Sequence, residues 1–111
     1  MNRNTLDERK TILITGAARG IGACLVSGFV SRGWRVAFSY FRSEARALEL
    51  CHSIEQQYGS ESVLAIQADI RERTGVTALF DQVYEHFGQL DALVNNAGIN
   101  RDGPFIEMTD A

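Results

Sequence analysis

The sequence is short of the residues that many functions require. Lys10 is its single lysine and Pro104 its single proline, and there are two cysteines and two histidines in 111 residues. A P-loop needs Gly-Lys-Ser/Thr after its second glycine, and the position of the lone lysine excludes one. No Lys/Arg cluster is present and the formal net charge is −3, so a nucleic-acid surface is excluded as well. Cys24 and Cys51 have no C-x-x-C or finger spacing and read as small packed thiols; His52 and His86 have no companion ligands at metal spacing. No apolar run approaches the ~20 residues of a membrane helix. Met1 to Lys10 mixes both charge signs and has no apolar h-region. These absences lead us to expect a soluble, cytoplasmic chain with no membrane or nucleic-acid partner.

What is present is regular. With 45% hydrophobic and 23% charged residues, the composition is that of one globular domain, residues 1–111, of which 1–9 form a polar tail. Short apolar runs alternate with helical stripes, the pattern of an α/β fold built from βαβ units. Thr11 to Thr15 reads as the first strand, Trp34 to Tyr40 as the second, Val63 to Ile66 as the third and Leu90 to Val94 as the fourth. Between them Ile21, Leu25, Gly28, Phe29 and Arg32 make one helical face, ending at Gly33. A second stripe runs through Ala47, Leu50, Cys51, Ile54 and Tyr58, with Ser43 as the expected N-cap and Gly59 as the stop. Val76, Leu79, Phe80, Val83 and Phe87 form the third, closing at Gly88. Right-handed crossovers then predict a doubly wound Rossmann-type parallel sheet, four strands in order 3-2-1-4 with three helices. Ligands of such a sheet bind at the carboxyl ends of the strands, where the winding reverses between strands one and four.

Two motifs fall at that point. Thr15-Gly16-Ala17-Ala18-Arg19-Gly20-Ile21-Gly22 lies between a strand and a helix, where unpaired N–H groups and the helix dipole attract an anion. Gly16 turns the chain out of the strand, Gly20 lets backbone approach a pyrophosphate, and Gly22 lets the helix pack closely. At the end of strand two, NAD sites place an acid on the ribose 2′-hydroxyl; here Ser39 stands there, followed by Tyr40, Phe41 and Arg42. With no carboxylate to repel a phosphate, Arg42 and Arg19 are positioned to grip a 2′-phosphate, which favours NADP(H). Arg42 also fits a plain solvated charge at a helix entry. Asp69, closing strand three ahead of Ile70, fits either an acceptor for an adenine amino group or a helix start. Asn95-Asn96-Ala97-Gly98 follows strand four, and asparagines at such a position also form turns.

Taken together, the Thr-Gly-x-x-x-Gly-Ile-Gly turn and Asn95-Asn96-Ala97-Gly98, two βα units apart, resemble the N-terminal half of a short-chain dehydrogenase/reductase, from about Lys10 to Asp110. The resemblance implies a nicotinamide-dependent oxidoreductase acting on a small-molecule carbonyl or alcohol, and a homo-oligomer when complete. It places Gly16, Arg19, Gly20, Ile21 and Gly22 at the pyrophosphate and 2′-phosphate, Asp69 and Ile70 at the adenine, and Asn96, Ala97 and Gly98 at the adenosine ribose. Asn95 is implied to tie strand four to the central strand. Asn95 to Asp102, followed by Met108, is further similar to 3-oxoacyl-acyl-carrier-protein and acetoacetyl-CoA reductases.

The family's Asn-Ser-Tyr-Lys catalytic residues lie beyond Ala111. No Tyr-x-x-x-Lys occurs here: Tyr40, Tyr58 and Tyr84 are followed four residues on by Glu44, Ser62 and Gly88. The expectation is therefore a cofactor-binding fragment with no catalytic residue of its own, with a non-catalytic nucleotide- or partner-binding domain as the alternative. Strand four would be an open, association-prone edge, and Gly98 to Pro104 would lead into a helix whose body is missing. A Rossmann-like methyltransferase would want an acid after strand two, and Ser39 argues against it.

Overall fold

A computed structural model describes residues 7–96 together with the backbone of residues 106–108. Its elements run β1 (Thr11–Ile14), α1 (Gly20–Ser31), β2 (Arg35–Tyr40), α2 (Glu44–Tyr58), β3 (Val63–Gln67), α3 (Arg73–Phe87), β4 (Ala92–Val94) and β5 (Ile106–Met108). The strands form one sheet in the order β3-β2-β1-β4-β5. The first four pair in parallel, with Ile12 beside Val36 on one side and Ala92 on the other. That is the expected 3-2-1-4 arrangement with three helices. Every residue of β1 and β2 is buried, as central strands covered on both faces must be.

Successive strand residues point to opposite faces and feed two cores. On one face Ile12, Ile14, Val36, Phe38 and Val94 pack against Val26 and Val30 of α1 and Ala47 and Ile54 of α2. On the other, Leu13, Ala37 and Ile66 pack against Leu79, Val83 and Phe87 of α3. Glycines stop the helices where the spacing predicted. Gly88 is left-handed at φ 80° and Gly59 has φ 100°, conformations costly for any residue with a Cβ. Ser43 sits at the N-cap position of α2, but its side chain makes no capping hydrogen bond. Among the described residues no helix is long and apolar enough to cross a membrane.

Two expectations are corrected. The first concerns the roll of α1. Its buried residues are Gly22, Val26 and Val30, while Ile21 is 59% exposed. Leu25 and Phe29 of the predicted stripe do pack, partly buried, against the core, but the deepest positions lie one residue on, and Gly22 is pressed against the preceding turn. A Cβ there would stand 2.5 Å from the Cα of Ala17 and 2.6 Å from Nδ2 of Asn96. Ile21, Leu25, Gly28, Phe29 and Arg32 consequently line an outward apolar groove.

The second concerns strand four, which is not an open edge. β5 pairs with it antiparallel, Val94 opposite Ile106 and Ala92 opposite Met108, so an extended segment takes the row of N–H and C=O groups where a helix entry was expected. Ala97, Gly98, Pro104 and Phe105 lie outside the described residues.

The polar segment ahead of β1 is held from Asp7 onward. Arg9 donates to Asp7 at 2.7 Å and to Ser62 Oγ at 3.1 Å. The buried Arg35 reaches Asp7 at 3.5 Å, donates to Thr11 Oγ1 at 3.1 Å and lies over the Phe87 ring. Thr11 N–H donates to Asp91, which also accepts from Gln89. This network clamps the amino ends of the strands, opposite the end where the glycine turn lies.

Candidate functional site

The glycine turn is held from three strands. Thr15 N–H donates to the Val94 carbonyl at 3.0 Å and Ala17 N–H to the Ser39 carbonyl at 2.9 Å. Gly16 N–H donates to Ser39 Oγ at 3.1 Å, and Asn96 Nδ2 donates to the Gly16 carbonyl at 2.9 Å. Gly16 and Gly20 have φ of 62° and 65°, which only glycine adopts without strain. The turn is thus built by the chain ends of β1, β2 and β4 together. Arg19 occupies the N-cap position of α1, no side chain caps it, and the first turn holds no acid. The amino end of α1 therefore keeps amides and a positive dipole end available for an anion.

Ser39 is the penultimate residue of β2, which ends at Tyr40 as expected, and it is 2% exposed with its hydroxyl accepting from the Gly16 amide. It braces the turn from beneath, and the residues emerging past the strand are Phe41 and Arg42. The two asparagines divide their work. Asn95 Oδ1 accepts from Thr15 Oγ1 at 3.3 Å, the tie between strand four and the central strand that the resemblance implied. Asn96 makes the shorter tie, to the turn itself, and its Oδ1 is buried with no hydrogen-bond partner among the described residues. A buried acceptor without a partner is uncommon in folded proteins.

Two connected cavities open over this end of the sheet, sharing Gly16, Tyr40 and Phe41. One, of about 180 Å³, is lined also by Ser39, Ala68, Asp69, Ile70 and Arg71. The other, of about 240 Å³, is lined by Ala18, Arg19, Arg42 and Ser43, with no carboxylate among its walls. Gly16 borders both cavities, Asp69 and Ile70 the first and Arg19 and Arg42 the second. Gly20 faces open space, since a Cβ there would meet nothing within 4 Å. Ile21 lies on the outward groove of α1, so only its backbone stands near the turn.

The electrostatics follow from the neighbours. Arg71 forks onto Asp69, Nε to Oδ1 at 2.9 Å and Nη2 to Oδ2 at 3.0 Å. This holds the Asp69 carboxyl below its ordinary range, with Arg42 adding a weaker pull. Burial and the charge of Glu44 push the Tyr40 phenol above its usual value, the opposite of what a proton-donating tyrosine needs. Tyr40, Phe41 and Arg71 were not singled out as site residues from the sequence. For Arg71 the signal was there, a basic residue two positions after Asp69, which lies two residues past the end of β3 rather than closing the strand.

The same architecture extends through known proteins. The family model described as short chain dehydrogenase matches residues 10–111. The chain belongs to the short-chain dehydrogenase family. It is 40% identical over 102 residues to versicolorin reductase of Emericella nidulans, covering 92% of this chain and 38% of that protein. It is 39% identical over 101 residues to a 3-oxoacyl-[acyl-carrier-protein] reductase of Staphylococcus aureus, covering 91% of this chain and 40% of the relative. Among solved structures, L-sorbose reductase from Gluconobacter frateurii, complexed with NADPH and L-sorbose, superposes with a TM-score of 0.74 at 33% identity, over 82% of this chain and 34% of that one. The chain therefore spans about two fifths of the length of the curated relatives it matches. Members of this family of oxidoreductases bind a nicotinamide cofactor, and three features here fit its adenosine and pyrophosphate half: the helix terminus without a side-chain cap, the glycine turn and the Asn96 oxygen, which has no partner among the described residues.

Proposed function

We propose that this chain is the cofactor-binding part of an NADP(H)-dependent reductase that converts a small-molecule carbonyl, such as a 3-oxoacyl thioester, to an alcohol within a homo-oligomer. The observation that carries the cofactor reading is the cavity past β2, where Arg19 and Arg42 line one space with no acid between them. An acid at this place would accept from a ribose hydroxyl and repel a phosphate; two guanidiniums do the reverse. In this reading the amides of Gly20, Ile21 and Gly22 meet the pyrophosphate, Asp69 and Ile70 flank the adenine, and Asn96, with Ala97 and Gly98 after it, borders the ribose. The cofactor, when bound, supplies the hydride. Tyr40, the phenol in the site, is poorly suited to supply the proton: burial and Glu44 make it a weaker acid, and Lys10 lies at the amino end of β1, the far side of the sheet. This favours a second reading for the 111-residue chain by itself, binding without turnover.

Calorimetric titration with NADPH and NADH tests the proposal. A charge-assisted hydrogen bond contributes about 1.5–3 kcal/mol, so NADPH is expected to bind about 10- to 150-fold more tightly, less so as salt rises. Arg42→Ala removes most of that preference. Equal affinities, or a preference for NADH that Arg42→Ala leaves intact, would refute it.

A further inference from the structure

Phe41 stands 41% exposed at the mouth of both cavities, and two guanidinium groups lie over its ring. The Cζ of Arg42 and that of Arg71 are each 5.2 Å from the ring centroid. Arg42 comes from the end of β2 and Arg71 from the end of β3, so the ring gathers cations from two neighbouring strands. An aromatic face attracts a guanidinium and leaves its edge donors directed outward. Arg71 uses Nε and Nη2 on Asp69, two of its five N–H donors. Its Nη1 has no partner among the described residues. An anion can therefore be added to Arg71 without breaking the fork to Asp69.

We propose that Arg71 is a specificity residue for the nucleotide, which together with Arg42 reaches the ribose 2′-phosphate beside the Phe41 ring. This rests on the NADP(H) reading above and adds Arg71, from the neighbouring cavity, to the Arg19 and Arg42 of that grip. Arg71 side-chain exposure is 69%, so its replacement does not threaten the core.

The test compares adenosine 2′,5′-bisphosphate with 5′-AMP, titrated calorimetrically into the wild-type chain, Arg71→Ala and Arg71→Lys. Loss of one charge-assisted contact predicts about tenfold weaker binding of the bisphosphate to Arg71→Ala, with 5′-AMP changed by no more than about twofold. Arg71→Lys should keep part of the preference, since it retains charge but not the planar fork. If Arg71→Ala weakens both ligands equally, Arg71 serves only to hold Asp69 and the proposal is overturned. If the wild-type chain itself does not favour the bisphosphate, the NADP(H) reading fails first. If that preference is present and survives Arg71→Ala undiminished, only the Arg71 assignment fails.

Discussion

Gly22 and Gly28 lie on the same helix, yet alanine should have opposite effects at the two positions. At Gly22 an added Cβ would sit 2.5 Å from the Cα of Ala17, where carbon atoms rest at about 3.5–4.0 Å, so turn and helix must separate by about 1 Å. Overpacking of this kind costs about 1–3 kcal/mol. The same Cβ would stand 2.6 Å from Asn96 Nδ2 and disturb its bond to the Gly16 carbonyl, a further loss of about 1 kcal/mol. Against these stands the gain in helix propensity, at most about 1 kcal/mol. The net expectation for Gly22→Ala is a destabilisation of about 1–3 kcal/mol. At Gly28 the nearest atom to an added Cβ is Arg32 Nη1 at 3.6 Å, the far end of a flexible side chain in ordinary contact. There the propensity term stands alone, and Gly28→Ala should stabilise by about 0.5–1 kcal/mol. Urea unfolding followed by far-ultraviolet circular dichroism measures both. A Gly22→Ala variant as stable as wild type, or a Gly28→Ala variant that loses more than Gly22→Ala, would refute the packing argument.

Three further outcomes follow from the same geometry. Burial and the Glu55 carboxylate push the Cys51 thiol up to about 11, whereas Cys24 is exposed, so a thiol reagent at neutral pH should modify Cys24 first, with peptide mass spectrometry reading the order. Asp7 is held at about 2 against an ordinary 3.8, chiefly by its hydrogen bond from Arg9. A lowered folded-state value stabilises above about pH 4 and is lost as pH falls through 2. After allowance for solvent on one side of the pair, Asp7→Asn should cost about 1 kcal/mol at pH 7, and the two unfolding curves should converge near pH 2. Asn96→Leu removes the donor to the Gly16 carbonyl and should destabilise by about 1–3 kcal/mol in the same urea experiment.

Much of the fold was legible because the deciding signals are local. The alternation of apolar runs with helical stripes located β1 to β4 and all three helices, and right-handed crossovers then ordered the strands without any long-range information. What the sequence concealed depends on contacts between distant segments. The roll of α1 is set by Gly22 against Asn96, at the end of another strand, and no periodicity within Gly20–Ser31 reports that. Ser39 looked like a strand-end residue because the turn that claims its hydroxyl lies one βα unit earlier. β5 is three residues long, and an edge pairing of that size has no pattern of its own. At the site, the glycine turn and Asp69 were readable from motif position. The Phe41 ring that assembles Arg42 and Arg71 was not, since it needs the ends of β2 and β3 side by side.

The central claim is that the carboxyl end of this sheet binds the adenosine and pyrophosphate half of NADP(H). Amide chemical-shift mapping of the isotopically labelled chain, titrated with NADPH, tests it most directly at residue resolution. The account predicts perturbations concentrated at Gly16 to Gly22, Tyr40 to Ser43 and Asp69 to Arg71, with the clamp around Asp7, Arg9 and Asp91 unmoved. Perturbations centred instead on the outward groove of Leu25 and Phe29, or a spectrum unchanged at millimolar NADPH, would contradict it.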